Sequence, residues 1–554
     1  MNKKFGIFAV VLLTAVSSIF AVGNSFEIGK SIEIMISFMR EIYMRYDDGV
    51  DPKEILRNGT LGMTSTLDPY TVFLPEEEMD DFKTFTTGKY GGIGAVIRKD
   101  GDYIRITEPY RNSPSDKAGI KIGDKIVSIE GESVKGWSVS DVSKKLRGDA
   151  NTKVRVGVLS VIDSTVVEKN IRRERIAIPS ISYVGYVEQG IGYIRHGDFT
   201  ETCYDDMRAA IKTLESTGEL KKLILDYRSN GGGVMQSAIK VLSLFLPKGT
   251  KVLVTKGRAE KQKEYCTEYE PVLPDIPMAV LINNSSASAS EIVAGALQDL
   301  DRAVLLGQKS FGKGLVQTTS YLGYDNYAKI TTAKYYIPSG RCIQAMKYSS
   351  DGKPVILPDS MQKEYTTSKG RRVYDGGGIS PDIATAVDYL SSFTATLYVS
   401  GVFDSFGDLY YRKHVGETLD LSKFTITDED FKEFKSMVKG KDIAYRSESR
   451  RALEQLRKSL KKENFNDAHQ QIKDIEALID DDTETLIEKY RKEIINTINS
   501  DIVLRYAYNQ GAAQYSLPQD KTVIRARQLL NSPDEYASYL ASDRVIGKTA
   551  TSKK

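Results

Sequence analysis

A hydroxyl set among small residues where a strand turns into a helix can act as a nucleophile. The run Asn284-Ser285-Ser286-Ala287-Ser288-Ala289-Ser290-Glu291 offers one. It follows the apolar stretch Met278–Ile282, which reads as a buried strand, and opens a helix through Ile292-Val293-Ala294-Gly295-Ala296-Leu297. On such a turn a hydroxyl is exposed and small neighbours let a substrate backbone approach. The free N–H groups of the helix start suit a developing oxyanion. Ser288-x-x-Glu291 is equally a capping box, and by itself the octet reads as a cap.

A second run shifts that balance. Gly307-Gln308-Lys309-Ser310-Phe311-Gly312-Lys313-Gly314 follows another apolar strand and places Lys313 between two glycines. A lysine here is either a surface charge or an amine held against apolar neighbours. Burial disfavours the ammonium, so a neutral amine becomes available as the base that a serine hydroxyl needs. Gln317 lies within reach along the following strand to hold that amine. A third run, Asp226-Tyr227-Arg228-Ser229-Asn230-Gly231-Gly232-Gly233, ends a strand and brings glycine backbone close to something. It matches neither GxGxxG nor GxxxxGK[ST], which leaves a phosphate cradle weak and N–H donors for an oxyanion as the other candidate.

The rest of the composition excludes several alternatives. The chain has three histidines, His196, His414 and His469, with no HExxH, so a zinc protease is not expected and no metal site is expected. None of the three sits in a triad motif. The three cysteines, Cys203, Cys266 and Cys342, are far apart and odd in number; three buried small hydrophobes is the expectation, one bridge the alternative. A net charge of +3 without a dense basic block makes nucleic acid a poor partner.

These runs need elements to position them. At 554 residues several domains are required. Met1–Gly23 reads as an export signal, with Lys3 and Lys4 before an apolar run; an uncleaved membrane anchor through residues 5–22 is the alternative. Residues 24–88 read as a helical region, with Ile32, Met35, Met39, Ile42 and Tyr46 at helical spacing in a packed helix pair. Residues 89–174 switch to short strands with two small helices. Residues 175–388 alternate strands and helices, which argues for a mostly parallel sheet with a polar insert at 348–373. Residues 389–554 are charged and helical, with faces at Leu453, Leu456, Leu460 and at Leu486, Tyr490, Ile494, Ile498; Lys548–Lys554 is expected to be disordered.

Taken together the runs resemble the C-terminal processing peptidases, or tail-specific proteases, in particular their longer bacterial members. The resemblance extends over most of residues 27–388 and includes Leu67-Asp68-Pro69-Tyr70, Gly91–Gly94, Asp226–Gly233, Ser286–Gly295, Phe311–Gln317, Thr332–Gly340 and Gly378-Ile379-Ser380-Pro381-Asp382. It implies a multidomain α/β fold: a protease core of β-sheet and helices with an inserted PDZ domain (residues 89–174) and flanking helical regions. It also implies a serine endopeptidase whose nucleophile falls on Ser288 and whose lysine base falls on Lys313, 25 positions on. The family glutamine falls on Gln317, and the oxyanion donors on the backbone N–H groups of Gly233 and Ala289. No cofactor is implied. Tyr227 and Gly231 depart from the Leu and Pro that the family often carries in that loop.

The PDZ reading has its own physics. Gly92-Ile93-Gly94-Ala95 stands where such domains keep a carboxylate-binding loop. Successive N–H groups there form an anion nest, and the strand from Ala95 offers an edge to an extended peptide. The expected partners are protein or peptide substrates with free apolar C-termini, and a homo-oligomer is compatible with the sequence. The expected location is exported, either periplasmic or anchored facing the periplasm. The competing expectation is a catalytically silent relative that binds peptides or serves as a scaffold; the retained Ser288, Lys313 and Gln317 argue against it.

Overall fold

The structure, a computed structural model, describes residues 25–547 apart from 260, 350–352, 357, 387–389, 442, 444, 466–467 and 480–481. The expected export signal Met1–Gly23 and the tail Lys548–Lys554 lie outside the described residues. The chain divides into two compact units, a smaller one of residues 1–77, 317–331 and 348–354 and a larger one holding the remainder.

In the smaller unit, helix Ser25–Arg45 is followed by helix Pro52–Thr64 and by strand Val72–Leu74, which pairs antiparallel with Tyr327–Lys329. Asp51 starts the second helix by accepting the Lys53 N–H at 2.8 Å, with Pro52 at the first helical position where its missing N–H costs nothing. The expectation of a packed helix pair needs correcting. Ile32, Met35 and Tyr46 are exposed, Met39 and Ile42 are only half-buried, and helix Pro52–Thr64 buries no residue. The 3.6-residue spacing forms the helix, but little of its apolar face is covered.

The larger unit is built on a six-stranded sheet. Ile181–Glu188, Ile191–His196, Lys222–Asp226, Met278–Ile282, Val304–Gly307 and Ile383–Ala384 lie side by side in that order. The first two are antiparallel and the rest parallel. Helices Cys203–Thr217, Met235–Leu242 and Ala289–Asp299 lie between successive parallel strands. Because each strand is added in the same direction and such crossovers are right-handed, all three helices fall on one face. There they enclose Ile194, Leu223, Leu225, Val280 and Leu305. That leaves Tyr193, Ile224, Leu281, Val304 and Leu306 pointing the other way, and Val523, Ala526, Leu529 and Leu530 of helix Lys521–Leu530 cover them. Burial on both faces is why Leu223–Leu225, Met278–Ile282 and Val304–Leu306 are unbroken apolar runs.

The expected PDZ domain folds as an antiparallel sheet ordered Ala95–Asp100, Tyr103–Pro109, Lys125–Ile129, Lys153–Leu159, Val166–Arg172, with Ala95–Asp100 at its edge. Helices Pro114–Lys117 and Val139–Leu146 accompany it, and Ile104, Ile106, Ile126, Val142 and Val156 form its core. The C-terminal helices have a core of their own, with Phe393, Phe403, Phe406, Phe431, Phe434, Ile494 and Ile498 buried. Leu453 is buried as well, whereas Leu456 stays exposed. Helix Arg491–Ser516 kinks at Tyr508, whose φ of 58° is a left-handed conformation rare for an aromatic residue. The Tyr508 hydroxyl donates to Asp116 Oδ1 of the PDZ domain at 3.0 Å.

Within the insert, Glu364–Thr366 pairs with Arg372–Tyr374 as a short hairpin. The cysteines are free, and the expectation that all three are buried holds only for Cys203. Cys342 is half-buried, and Cys266 is exposed at the end of strand Lys263–Cys266.

Candidate active site

Strand Met278–Ile282 is buried along its whole length, and its continuation is knitted to the neighbouring Asp226–Gly233 loop. Ser286 Oγ donates to the Tyr227 carbonyl at 2.8 Å, the Ala287 N–H donates to the Asn230 carbonyl at 3.0 Å, and Ser290 Oγ donates to the same carbonyl at 2.9 Å. Ser286 and Ser290 are thus buried and used structurally, whereas Ser288 is half-exposed at the turn. Its backbone has φ 56° and ψ −113°, a region that costs a non-glycine residue on the order of 1–3 kcal/mol. Surrounding hydrogen bonds hold it there. Helix Ala289–Asp299 starts at once, and the Ala289 N–H, as the first of the helix, has no carbonyl four residues back to bond within it.

Glu291 joins this turn to the lysine loop. Its side chain is fully buried, and four donors converge on it: the Ser288 N–H (2.9 Å) and the Lys313 N–H (2.9 Å) on Oε2, Ser310 Oγ (2.6 Å) and the Gly312 N–H (2.7 Å) on Oε1. Burial pushes its carboxyl up to about 7, with the four donors pulling the other way. Lys313 is half-buried, and both flanking glycines are required. A Cβ on Gly312, at φ 86°, would lie 2.4 Å from Ala345 Cβ; one on Gly314 would lie 2.8 Å from the Gln344 nitrogen. The Tyr335 hydroxyl is within hydrogen-bonding distance of the Lys313 carbonyl and, at 3.2 Å, of the Ser288 carbonyl. One carboxylate and one phenol therefore hold the backbones of Ser288 and Lys313 in common.

The Asp226–Gly233 loop completes the site. Asp226 is fully buried and accepts the Tyr193 hydroxyl at 2.6 Å and Arg228 Nη2 at 2.6 Å. Asn230 donates through Nδ2 to the His196 carbonyl and accepts the Gly232 N–H on Oδ1, both at 2.9 Å. Gly232 has φ 100°, and a Cβ there would lie 2.9 Å from both Ser288 Cβ and the Ala289 nitrogen. Gly233 has φ 144° and lies against the Phe199 carbonyl, 2.3 Å from where its Cβ would be. Only glycine fits either place, and the close approach sets the chain at Gly232 beside the Ser288 turn and at Gly233 against Phe199. The two departures are accommodated. Tyr227 is buried and stacks on Phe199 with centroids 5.7 Å apart, and a side chain at Gly231 would meet nothing within 4 Å. His196 is buried against Phe199, its imidazole pushed down to about 4 by burial, and His414 stacks on Tyr410.

In the PDZ domain Gly92 ends a short strand opposite Glu174, so it belongs to a ladder rather than to the loop. Ile93 is buried, and its carbonyl accepts the Ser115 N–H at 2.8 Å. Gly94, at φ 76°, leaves no room for a Cβ, which would lie 2.5 Å from Ser113 Cβ. Its carbonyl accepts the Ser113 and Ser115 hydroxyls at 2.9 and 2.7 Å. Burial pushes the Tyr90 phenol up, opposed by the Arg147 guanidinium and by the nearby Ala95 and Gly94 backbone. A cleft of about 220 Å3 is lined by Tyr90, Ile93, Ala95, Ile97, Leu146 and Arg147.

Gln317 belongs to the smaller unit. There its Nε2 donates to Thr331 Oγ1 at 3.2 Å, and Thr331 Oγ1 donates on to Asp68 Oδ1 at 2.9 Å. In the sequence Glu291 reads only as a cap, and Tyr335 and Asn230 carry no assigned role. Their signals were the Thr332–Gly340 motif, which contains Tyr335, and the glycine loop that contains Asn230.

Residues 190–353 match peptidase family S41, residues 105–159 match the PDZ domain, and residues 393–530 match the C-terminal helical domain of probable PDZ-proteases. A carboxy-terminal-processing protease of Bartonella bacilliformis is 36% identical over 324 residues, which is 57% of this chain and 72% of that one. A probable CtpA-like serine protease of Staphylococcus aureus strain COL is 34% identical over 293 residues, 52% of this chain and 58% of its own length. The solved photosystem II D1 C-terminal processing protease is 28% identical, with a TM-score of 0.34 over 58% of this chain and 85% of that one. With its protease core, PDZ domain and C-terminal helices, the chain belongs to peptidase family S41, among the carboxy-terminal-processing serine proteases.

Proposed function

We propose that this protease works through a Ser288–Lys313 dyad and cuts exported proteins near their C-termini after its PDZ domain has taken the free carboxylate. The observation that carries the dyad is the buried Glu291 carboxylate, which accepts the backbone N–H of both residues at 2.9 Å. In the proposed reaction the Lys313 amine, neutral, takes the proton from Ser288 Oγ as that oxygen attacks the substrate carbonyl. The negative charge that develops on the carbonyl oxygen meets the N–H groups of Gly233 and Ala289. Collapse expels the amine half of the substrate, which receives the proton back from Lys313. Water, deprotonated by the same amine, then attacks the acyl carbonyl; the C–Oγ bond breaks, Ser288 Oγ takes the proton back from Lys313, and the acyl half leaves as the acid.

For the substrate end, the N–H groups of Ile93, Gly94 and Ala95 are the proposed carboxylate donors. The edge strand Ala95–Asp100 would accept the last residues as an added strand, with an apolar terminal side chain in the cleft beside Ile93 and Leu146. The test is mass spectrometry of the products from an unstructured protein with a free or an amidated C-terminus. Wild type should cut the free form faster. Ser288→Ala should not cut, and Lys313→Arg should be as inactive as Lys313→Ala, because a guanidinium stays protonated and cannot take the proton. Turnover by Lys313→Arg near that of wild type removes the base role, and equal cutting of the two C-termini removes carboxylate reading.

A further inference from the structure

The catalytic loop Asp226–Gly233 is held from two sides. From within, Arg228 folds back on Asp226: its Nε lies 3.0 Å from both carboxylate oxygens and its Nη2 donates to Oδ2 at 2.6 Å. From outside, the same Nη2 meets Asp520 Oδ2 at 2.7 Å. Asp520 belongs to the C-terminal helical domain, immediately before the helix Lys521–Leu530 that covers the open face of the catalytic sheet. Its other oxygen is engaged separately, since Oδ1 accepts the N–H groups of Thr522 (2.9 Å) and Val523 (3.0 Å) and so caps that helix. The guanidinium is thus shared between an acid of its own loop and an acid of the covering layer. Both side chains are mostly shielded, 21% exposed for Arg228 and 24% for Asp520.

The loop beyond Arg228 has little tolerance. The Ser229 N–H donates to Asn283 Oδ1 at 2.9 Å, Asn230 bonds to both the Ser288 turn and the Gly232 N–H, and Gly232 touches Ser288. Arg228 is thereby connected, residue by residue, through Ser229 and Asn230 to Gly232 and the Ser288 turn.

We propose that Asp520 is a positioning residue for peptide-bond cleavage: the C-terminal helical domain uses its carboxylate to hold Arg228, and through it the catalytic loop, against the Ser288 turn. The proposal rests on the reading of Gly233 as an oxyanion donor. It gives the C-terminal helical domain a part in catalysis in addition to covering the sheet.

Two variants of the full-length chain separate positioning from stability, because Asp520 does its two tasks with different oxygens. Asp520→Asn keeps a carbonyl oxygen for the cap but turns an amide donor or a neutral oxygen toward the guanidinium. Asp520→Glu keeps a carboxylate for Arg228 but caps the helix poorly, since glutamate is disfavoured at that place. The expected result is a crossing of ranks. The Asn variant should melt close to wild type yet lose about tenfold in kcat with KM nearly unchanged, the signature of misplaced donors. The Glu variant should melt lower by several degrees yet retain more of its kcat. Acylation by a serine-directed probe should slow in the Asn variant by the same factor as turnover. Arg525→Ala, which breaks an ion pair from the same helix to Glu535 of helix Pro533–Tyr539, should leave kcat at the wild-type value. If the Asn variant keeps full kcat, or if kcat follows melting temperature across the three variants, Asp520 is only a cap and the proposal fails. Failure of the dyad reading looks different: Lys313→Arg would then turn over normally whatever the Asp520 variants do.

Discussion

Ser288 carries a strained backbone and Glu291 a buried carboxyl, and each yields a measurable consequence. At φ 56° and ψ −113° a serine or an alanine is strained and a glycine is not. Ser288→Ala and Ser288→Gly should both abolish proteolysis, but Ser288→Gly should be the more stable by about 1 kcal/mol in a denaturant melt. Equal stability would mean the turn relaxes outside its surroundings. The backbone half of the capping box, the Ser288 N–H to Glu291, survives in both. For Glu291 the sign follows from its raised pKa, about 7 in the folded chain against 4.5 ordinarily. The folded state holds a proton there that the unfolded state has lost, so this group's stabilising contribution is full below 4.5 and is lost as pH rises through 7. Glu291→Gln should remove that slope, so wild type should lose stability relative to the variant between pH 5 and about 7. Activity should run the other way. Only the ionised carboxylate can accept from all four of its donors, so wild-type turnover should rise through about pH 7, and Glu291→Gln should be slower by a factor of about 100. Parallel stability curves, or a fast Gln variant, would contradict this account of Glu291. Gln317 takes its role from the sequence alone, and unchanged kinetics in Gln317→Ala would remove it.

The PDZ loop and the strand behind it form the next level. Gly94 is placed by tight packing against Ser113, and its carbonyl is held by two serine hydroxyls, so the N–H groups of this loop point in fixed directions. Tyr90 lines the same cleft as Ile93 and Ala95. A neutral phenol and a peptide carboxylate would compete for the same donors. Tyr90→Phe should therefore bind a peptide with a free apolar C-terminus more tightly, by a few-fold, with the amidated peptide unaffected. Fluorescence anisotropy with the full-length chain reads both affinities. An unchanged affinity for the free carboxylate would show that the phenol and the peptide do not compete.

For the molecule as a whole, the order of strands has the largest consequence. Right-handed crossovers between strands laid down in one direction leave one face of the sheet bare. In this chain that face is covered by the helix Lys521–Leu530. Placing a charge there, as in Leu529→Asp, buries an unpaired carboxylate at a site with no exposure. It should cost about 3 kcal/mol or more and make the chain bind a hydrophobic dye at temperatures where wild type does not. A melt within a degree of wild type would mean that the C-terminal helices are dispensable to the core.

Much of this was legible in the sequence because it depends on neighbours in the chain. Apolar runs such as Met278–Ile282 announce strands buried on both faces, and glycines at 232, 233, 312 and 314 mark backbone approaches too close for any side chain. The order of motifs placed Ser288 and Lys313 in the family pattern. The tertiary structure alone decided which groups hold them. Glu291 reads locally as a cap, and its second task, on the loop at 310–313, depends on two strands being parallel neighbours. Tyr335 reaches the same backbones from a different part of the chain. Asp520 reaches Arg228 across nearly 300 positions. The apolar face of residues 32–46 shows the reverse limit. Periodicity determined a helix there, but whether its face is buried depends on what packs against it, and spacing along the chain holds no information about that.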